Sequence, residues 1–326
     1  MTVEVDTRWR QLRLAVARIE PRSGIAPYVL LGGHIDGWHN GATDEGASNS
    51  AMIELTRALW QERRALRRGL VVAVWPGHSN GPYAGSTWFA DEFHGELVRR
   101  AVAYLNVDGI GQIGATEFSI SATASLETLG RRVTMRTAGV EPRVSRPGRN
   151  SDQAFNGVGM PLLQFNHTPS PEDGGTWWWH TPEDTLDKID PEVLELDTEI
   201  YAAALAELLT APVPPLDAAA EIADLRALVV EAQSTAGDAF DLSGTVESLD
   251  ALARGVAELQ SRLPRLQAGP DAADQVLLEL LRPLYRVMFT ASGPFHPDPF
   301  VETERLPGLE AVRKLGTGAD RSDVHG

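Results

Sequence analysis

The chain alternates between short runs that are apolar throughout and longer stretches where apolar residues recur every three or four positions. "YVLLGGHID" (28–36), "GLVVAVWPG" (69–77), "AVAYLNVDG" (101–109) and "MPLLQFN" (160–166) belong to the first kind, the pattern of strands buried on both faces. "RQLRLAVARIEP" (10–21) predicts a further strand ahead of them. "SNSAMIELTRALWQERRAL" (48–66), "ETLGRRVTMRTAG" (127–139) and "LELDTEIYAAALAELL" (194–209) carry helical spacing. Strands alternating with helices predict an α/β domain, a mostly parallel mixed sheet covered by helices on both faces. The breaker "APVPP" (211–215) ends that pattern and sets a boundary between residues 1–212 and a helical bundle over 213–326.

In the second part "LDAAAEIADLRALVVEAQ", "TVESLDALARGVAELQSRL" and "DAADQVLLELLRPLYRVMF" predict three amphipathic helices separated by Gly, Ser and Pro breaks. They hold no His and few convergent polar groups, so their expected task is packing and self-association, with binding of a separate partner as the alternative. "GPFHPDPFVETERLPGL" (293–309) is expected to wrap back over the body, and "GTGADRSDVHG" to fray.

Charge narrows the choice of partners. The 326 residues carry 29 basic and 45 acidic side chains, a formal charge of −16, which argues against nucleic acid or an anionic membrane surface. The one basic cluster, "ERRALRRG" (62–69), falls where a helix should end, and cations there complement the helix dipole. With no cysteine, any metal must be held by His, Asp and Glu, a donor set that suits Zn, Mn, Fe or Co. The first residues lack the apolar core of a signal peptide, and no run reaches the ~20 apolar residues of a membrane span. A cytoplasmic protein is the expectation.

Candidate chemistry collects where the apolar strands run out. His34, Asp36, His78 and Asp108 all stand at such ends, and ligands of open α/β sheets bind outside the carboxyl ends of the strands. Singly, each is more often a cap or a satisfied loop group than a ligand; together they converge. "HID" sets a carboxylate, Asp36, two residues after an imidazole that it could orient. "GATDEGASNSA" puts Asp44 in a Gly-rich loop before a helix, and "HTPEDT" supplies His180. "TPED" itself reads as a helix start capped by Thr181 with Asp184 as capping-box partner, which assigns Asp184 to structure and His180 to chemistry.

These pieces, with "WPGHSNGPYAGSTW" (75–88) between them, resemble the co-catalytic zinc aminopeptidase superfamily over residues 25–210. They look closest to the branch of glutamate carboxypeptidase and the transferrin receptor, and the helical part is similar to that branch's dimerisation domain. The resemblance implies metal-dependent hydrolysis of an amide, peptide or related C–N bond, with one or two divalent ions. Zinc comes first; Fe, Mn, Co and Ni are alternatives. By match, Asp44 bridges the ions, His34 and Asp108 complete the first, His180 belongs to the second, and Asp36 supports the His ligand.

The family's Glu-Glu pair, general base and second-ion ligand, is missing. Counted from Gly77, His78 and Ser79 replace it; counted back from "GS", Ser79 and Asn80 do. His78 then stands as substitute ligand or general base. The other readings are a catalytically silent binding or assembly subunit, like the transferrin receptor, and acyl transfer, like the related glutaminyl cyclases.

Around the centre, Arg149, Asn150, Ser151 and Asp152 are candidate substrate contacts, or simply a turn. Three successive tryptophans, Trp177 to Trp179, cannot all face one core, so Trp178 is a candidate for the site mouth. His167 could reach the metals, or bond its loop neighbours. Trp38 and His39 would wall the pocket, and this aromatic rim suits a small or hydrophobic substrate such as a short peptide. A homodimer is the expected assembly. The chain starts close to the first strand, so the expectation is either a fragment or one subunit of a hetero-oligomer in which another chain supplies the missing part of the family domain.

Overall fold

The computed structural model describes residues 3–6, 8–21, 24, 26–79, 83–147, 154–265, 271–291 and 305–316. The predicted apolar runs become β1 (Ala15–Ile19), β2 (Tyr28–His34), β3 (Gly69–Trp75), β4 (Ala101–Asn106) and β7 (Leu162–Pro169), joined by β5 (Ala115–Ala122) and β6 (Arg143–Ser145). They form one sheet in the order β1-β3-β2-β4-β7-β5-β6. The central pairs β3-β2, β2-β4 and β4-β7 are parallel, whereas β1 and β5 run antiparallel to their neighbours β3 and β7.

Each central strand feeds both faces because side chains alternate along it. Val29 and Leu31 of β2 join Leu70 and Val72 of β3 on one face, under α1 (Ala47–Gln61), α4 (Ala124–Ala138) and α5 (Pro191–Thr210). Tyr28 and Leu30 join Val71, Ala73 and Trp75 on the other face. There they meet Phe89 of α2 (Ala84–Glu92), Leu97 of α3 (His94–Arg100), and Phe155.

The helical part, α6 (Ala218–Ala236), α7 (Ser243–Arg262) and α8 (Ala272–Phe289), shares the first of these two cores with the sheet, so it is docked on the body. Its polar anchors sit at the N-terminal ends of the parallel strands. Arg68, one residue before β3, forms a buried bidentate pair with Asp274 of α8, both contacts 2.7 Å. Arg282 of α8 donates to the carbonyls of Leu97 and Ala101, at the start of β4. The "ERRALRRG" cluster does follow a helix end: α1 stops at Gln61, and Arg63 donates to Trp60 O in its last turn at 2.6 Å. Arg68 serves a second helix end as well, donating to Leu208 O of α5 and to Ala211 O just past it, both at 2.8 Å. Past α8, Leu306 N bonds Met288 O and the short α9 (Glu310–Gly316) follows, so the described part of the tail does turn back, onto the helical unit. Among the described residues no helix is long and apolar enough to cross a membrane.

α6 meets the body through a buried acid. Glu221 is fully buried and its Oε2 accepts from Ser125 N at 2.8 Å. Burial outweighs that bond and pushes the carboxyl up from 4.5 to about 7. A folded-state value above the unfolded one means the folded chain holds the proton longer. Stability is therefore full below about pH 4.5 and is lost as pH rises toward 7. Urea melts at pH 5 and pH 8 should differ by up to about 3 kcal/mol from this group, and Glu221→Gln should remove most of that difference.

Candidate metal centre

Three adjacent parallel strands end side by side and deliver the site. β2 ends on His34, β3 on Trp75 three residues before His78, and β4 two residues before Asp108. The ladder continues briefly past them, with Ile35 N on Trp75 O and Val107 N on Gly32 O, which holds the strand ends level.

His34 is completely buried and its two nitrogens have different tasks. Nδ1 lies 2.6 Å from Asp36 O, and a carbonyl can only accept, so the proton sits on Nδ1. Nε2 then turns toward three carboxylates: Asp44 Oδ1 at 3.1 Å, Glu45 Oε1 at 3.9 Å and Asp108 Oδ1 at 4.0 Å. On the far side of Asp44, Oδ2 lies 3.4 Å from His180 Nε2. Ligands of one tetrahedral zinc ion, with bonds near 2.0 Å, stand about 3.3 Å apart, so these separations fit donors sharing a cation. A lone pair aimed at a set of anions is repulsive, and one proton would satisfy one oxygen of the three. A divalent ion satisfies all of them. The donor set therefore fits a metal, and Asp44, facing a histidine with each oxygen, has the geometry of a bridge.

The loop around Asp44 is an irregular turn, Ala42–Gly46, leading into α1, with Asp44 itself outside helical geometry at φ −113 and ψ 70. Asp184 holds it. Its Oδ1 accepts from Thr43 N (2.8 Å) and Thr43 Oγ1 (2.9 Å), and its Oδ2 from Asp44 N (3.1 Å). The expected structural role of Asp184 stands, but not as a helix cap: residues 181–185 form turns, and α5 starts at Pro191 with Asp190 capping Glu192 N and Val193 N.

Two other assignments change in the same way. The support that His34 receives comes from the backbone carbonyl of Asp36, while the Asp36 carboxylate accepts from His78 N (3.0 Å) and Ser79 N (2.9 Å) and so fixes the turn after β3. Trp178 is buried rather than at the mouth, and its indole N–H donates to Thr43 Oγ1 at 3.2 Å.

The mouth is formed instead by Trp179, stacked on His180 at 3.6 Å, and by the half-exposed Trp38, 6.0 Å from the same ring. His180 itself sits at φ 61, a left-handed conformation costly for a residue with a side chain. Burial holds its imidazole below the ordinary pKa, against the pull of Asp44 and with help from His78 and His34, so the ring is in the neutral form a ligand needs.

His78 lies face to face on His34, centroids 3.9 Å apart and planes 11° apart, with Tyr83 edge-on to it at 5.9 Å. His167 does not come to the centre. Its Nδ1 is 2.8 Å from Asp197 Oδ1 and its ring stacks on Phe118, because the side chain points from β7 toward α5. Arg149, Asn150, Ser151, Asp152 and Asn80 lie outside the described residues. Glu45 was missed although it adjoins Asp44; a second acid in the same Gly-rich loop was the available signal. A cleft of about 670 Å³ opens beside Asp44 and Glu45 and runs past His39, Ile35 and Met52 to Val16 of β1.

A buried His with neighbouring carboxylates at the carboxyl ends of parallel strands gives this α/β protein a group of side chains that could hold a divalent ion. The chain belongs to peptidase family M28, whose model matches residues 15–205. It is 27% identical over 251 residues to a glutamate carboxypeptidase 2 homolog of Caenorhabditis elegans, covering 64% of this chain and 31% of that protein. Among solved structures, an aminopeptidase from Aneurinibacillus sp. strain AM-1 superposes with a TM-score of 0.52 at 25% identity, covering 60% of this chain and 47% of that one. A zinc aminopeptidase from Bacillus subtilis gives 0.53 at 21%, covering 61% and 50%, and shares the fold. The chain thus spans less than a third of the C. elegans relative and about half of each of these two structures.

Gly41 makes the Asp44 turn sterically possible. It sits at φ +61, and a Cβ there would lie 2.3 Å from Asp44 O. Gly41→Ala should weaken zinc binding at least about tenfold in equilibrium dialysis, by moving Asp44 off the position that Asp184 sets. Gly237→Ala, also at positive φ but with nothing within 4 Å, is the control and should bind as the parent does.

Proposed function

We propose that the chain is a metal-dependent hydrolase that cleaves a peptide or related amide bond. The observation that carries this is the convergence on one side of His34 of Asp44, Glu45 and Asp108, with His180 across Asp44. His34 and Asp108 would hold a first ion, His180 a second, and Asp44 would bridge them. Membership of family M28 and the likeness to a zinc aminopeptidase support zinc as the ion. A divalent ion in such a site supplies Lewis-acid polarisation of the scissile carbonyl and acidifies the attacking water.

The protein's own groups do the rest. Hydrolysis adds OH to the carbonyl carbon and delivers a proton to the leaving nitrogen, so one group must take the water's proton and hand it on. We assign that transfer to His78, whose backbone Asp36 fixes and whose ring is stacked at the edge of the centre. Trp38 and Trp179 flank His180 at the mouth, and the cleft that starts at Asp44 and Glu45 becomes apolar toward β1. An apolar side chain or acyl group is therefore the substrate part that fits.

Protein purified without added metal or chelator should carry close to one or two equivalents of divalent ion by plasma mass spectrometry. It should hydrolyse an apolar aminoacyl anilide or a short apolar peptide, and lose that activity on chelation. A chain that is empty and takes up no added Zn, Co or Mn sinks the proposal. His78→Ala should retain the metal and lose at least about 100-fold in kcat, the share expected of a general base; loss of metal as well would make His78 a ligand instead.

A second reading, a silent subunit used for assembly, is favoured by the edge of the sheet. β1 has four of its five residues exposed, and a cleft of about 590 Å³ lies on its other side between Trp9, Leu12 and Trp88. An open, apolar edge strand is a surface for adding another chain. Light scattering on the metal-free protein separates the two readings: association without any metal uptake favours the second.

A further inference from the structure

We propose that Glu45 is itself a metal ligand, so that His34, Asp44, Glu45 and Asp108 form one complete four-donor site while the position at His180 is the weaker of two. This rests on the metal-dependent reading of the centre and goes beyond the ligands that the resemblance to the aminopeptidases supplies.

Three independent features place the Glu45 carboxylate there. First, it is buried, with 2% of the residue exposed, in a centre already containing two other acids. An ionised carboxylate is held in such a place only by a cation or by a full set of hydrogen-bond donors. Second, ligand-capable atoms of His34, Glu45 and Asp108 all lie within 4.8 Å of one another, a triangle that one ion can span.

Third, β2 is cut away beneath the carboxylate. Gly33 precedes His34, and a Cβ on it would stand 3.1 Å from Glu45 Oε1 and 2.5 Å from Val107 O. The side chain of Glu45 therefore lies directly against the strand that ends in His34. Its backbone is pinned at the same time, with Asn49 Nδ2 donating both to Glu45 O (2.9 Å) and to His34 O (2.8 Å). One amide thus ties the two ligands' backbones together.

The coordination that follows is lopsided. The first position has one nitrogen and three carboxylates around it. The second has Asp44 Oδ2 and His180 Nε2, plus whatever His78 contributes. Three carboxylates against one imidazole shift the first position's preference toward Mn relative to a nitrogen-rich site. The expected stoichiometry is one tightly held ion per chain and a second that is lost on dialysis.

The test is a titration of the metal-free full chain with Zn²⁺ against a chromophoric chelator, and with Co²⁺ followed by its visible d–d absorption. Glu45→Gln keeps the shape and removes the charge. It should weaken the first ion by at least about 100-fold and change the Co²⁺ spectrum. His180→Ala should leave the first ion's affinity within about threefold and abolish the second step. Glu45→Asp, checked for folding by circular dichroism, should recover part of the lost affinity; this separates ligation from a fold defect. A Glu45→Gln chain with the parent's first-ion affinity and Co²⁺ spectrum overturns the assignment and leaves the hydrolase reading intact. A parent chain that binds neither metal overturns both.

Discussion

The carboxylate of Asp184 accepts three hydrogen bonds from Thr43 and Asp44 across 140 residues of chain, and the geometry of the centre depends on it. Asp44 has to face His34 with one oxygen and His180 with the other, which requires a backbone outside any regular element. A turn of that kind is not self-supporting. It is held from outside by a relay in which the Trp178 indole donates to the Thr43 hydroxyl and the hydroxyl donates to Asp184. Hydrogen bonds to a charged acceptor contribute roughly 1.5–3 kcal/mol each, enough to set a loop that propensity alone would leave undecided. The segment that carries His180 therefore also carries the group that aims Asp44.

The two edges of the parallel strands have separate roles. Their carboxyl ends collect the acids and imidazoles, while their amino ends are closed by α6 and α8 through Arg68, Arg282 and Glu221. The Arg68–Asp274 pair is fully enclosed, and removing one partner of such a pair typically costs about 3–5 kcal/mol. The helical unit is therefore part of the body's stability while standing on the side away from the chemistry.

The continuous apolar strands and the long helices could be read from the chain because burial on two faces leaves a pattern in one dimension. β5, "ATEFSISA", could not: it alternates polar and apolar with six of its eight residues at least partly exposed, and β6 is three residues long. α2 and α3 are short and give no sustained period. In the centre, His34, Asp44, Asp108 and His180 were legible as ligand types at strand and loop ends, and the fold brings them together. What was not legible was direction. Asp36, two residues from His34, suggested a carboxylate–imidazole contact, yet the backbone geometry gives that contact to the carbonyl and turns the carboxylate to His78 and Ser79. Of three adjacent tryptophans, alternation alone could not say which one points inward; Trp178 does, because Thr43 offers its indole an acceptor. His167 went to Asp197 for the same reason: the partner comes from a helix 30 residues on.

The His78 position and Glu45 are two sides of one charge balance. The group stacked on His34 after β3 is an imidazole, His78, which brings no carboxylate to that side. On the other side Glu45 adds a carboxylate in the turn that already holds Asp44. Negative charge is therefore concentrated on the side shared by His34 and Asp108. A cation held there sits deeper, under the fully buried ring, while the His180 side stays partly open to solvent between two tryptophans. Under the proposed ligation the deep position would hold its ion and the open one would exchange.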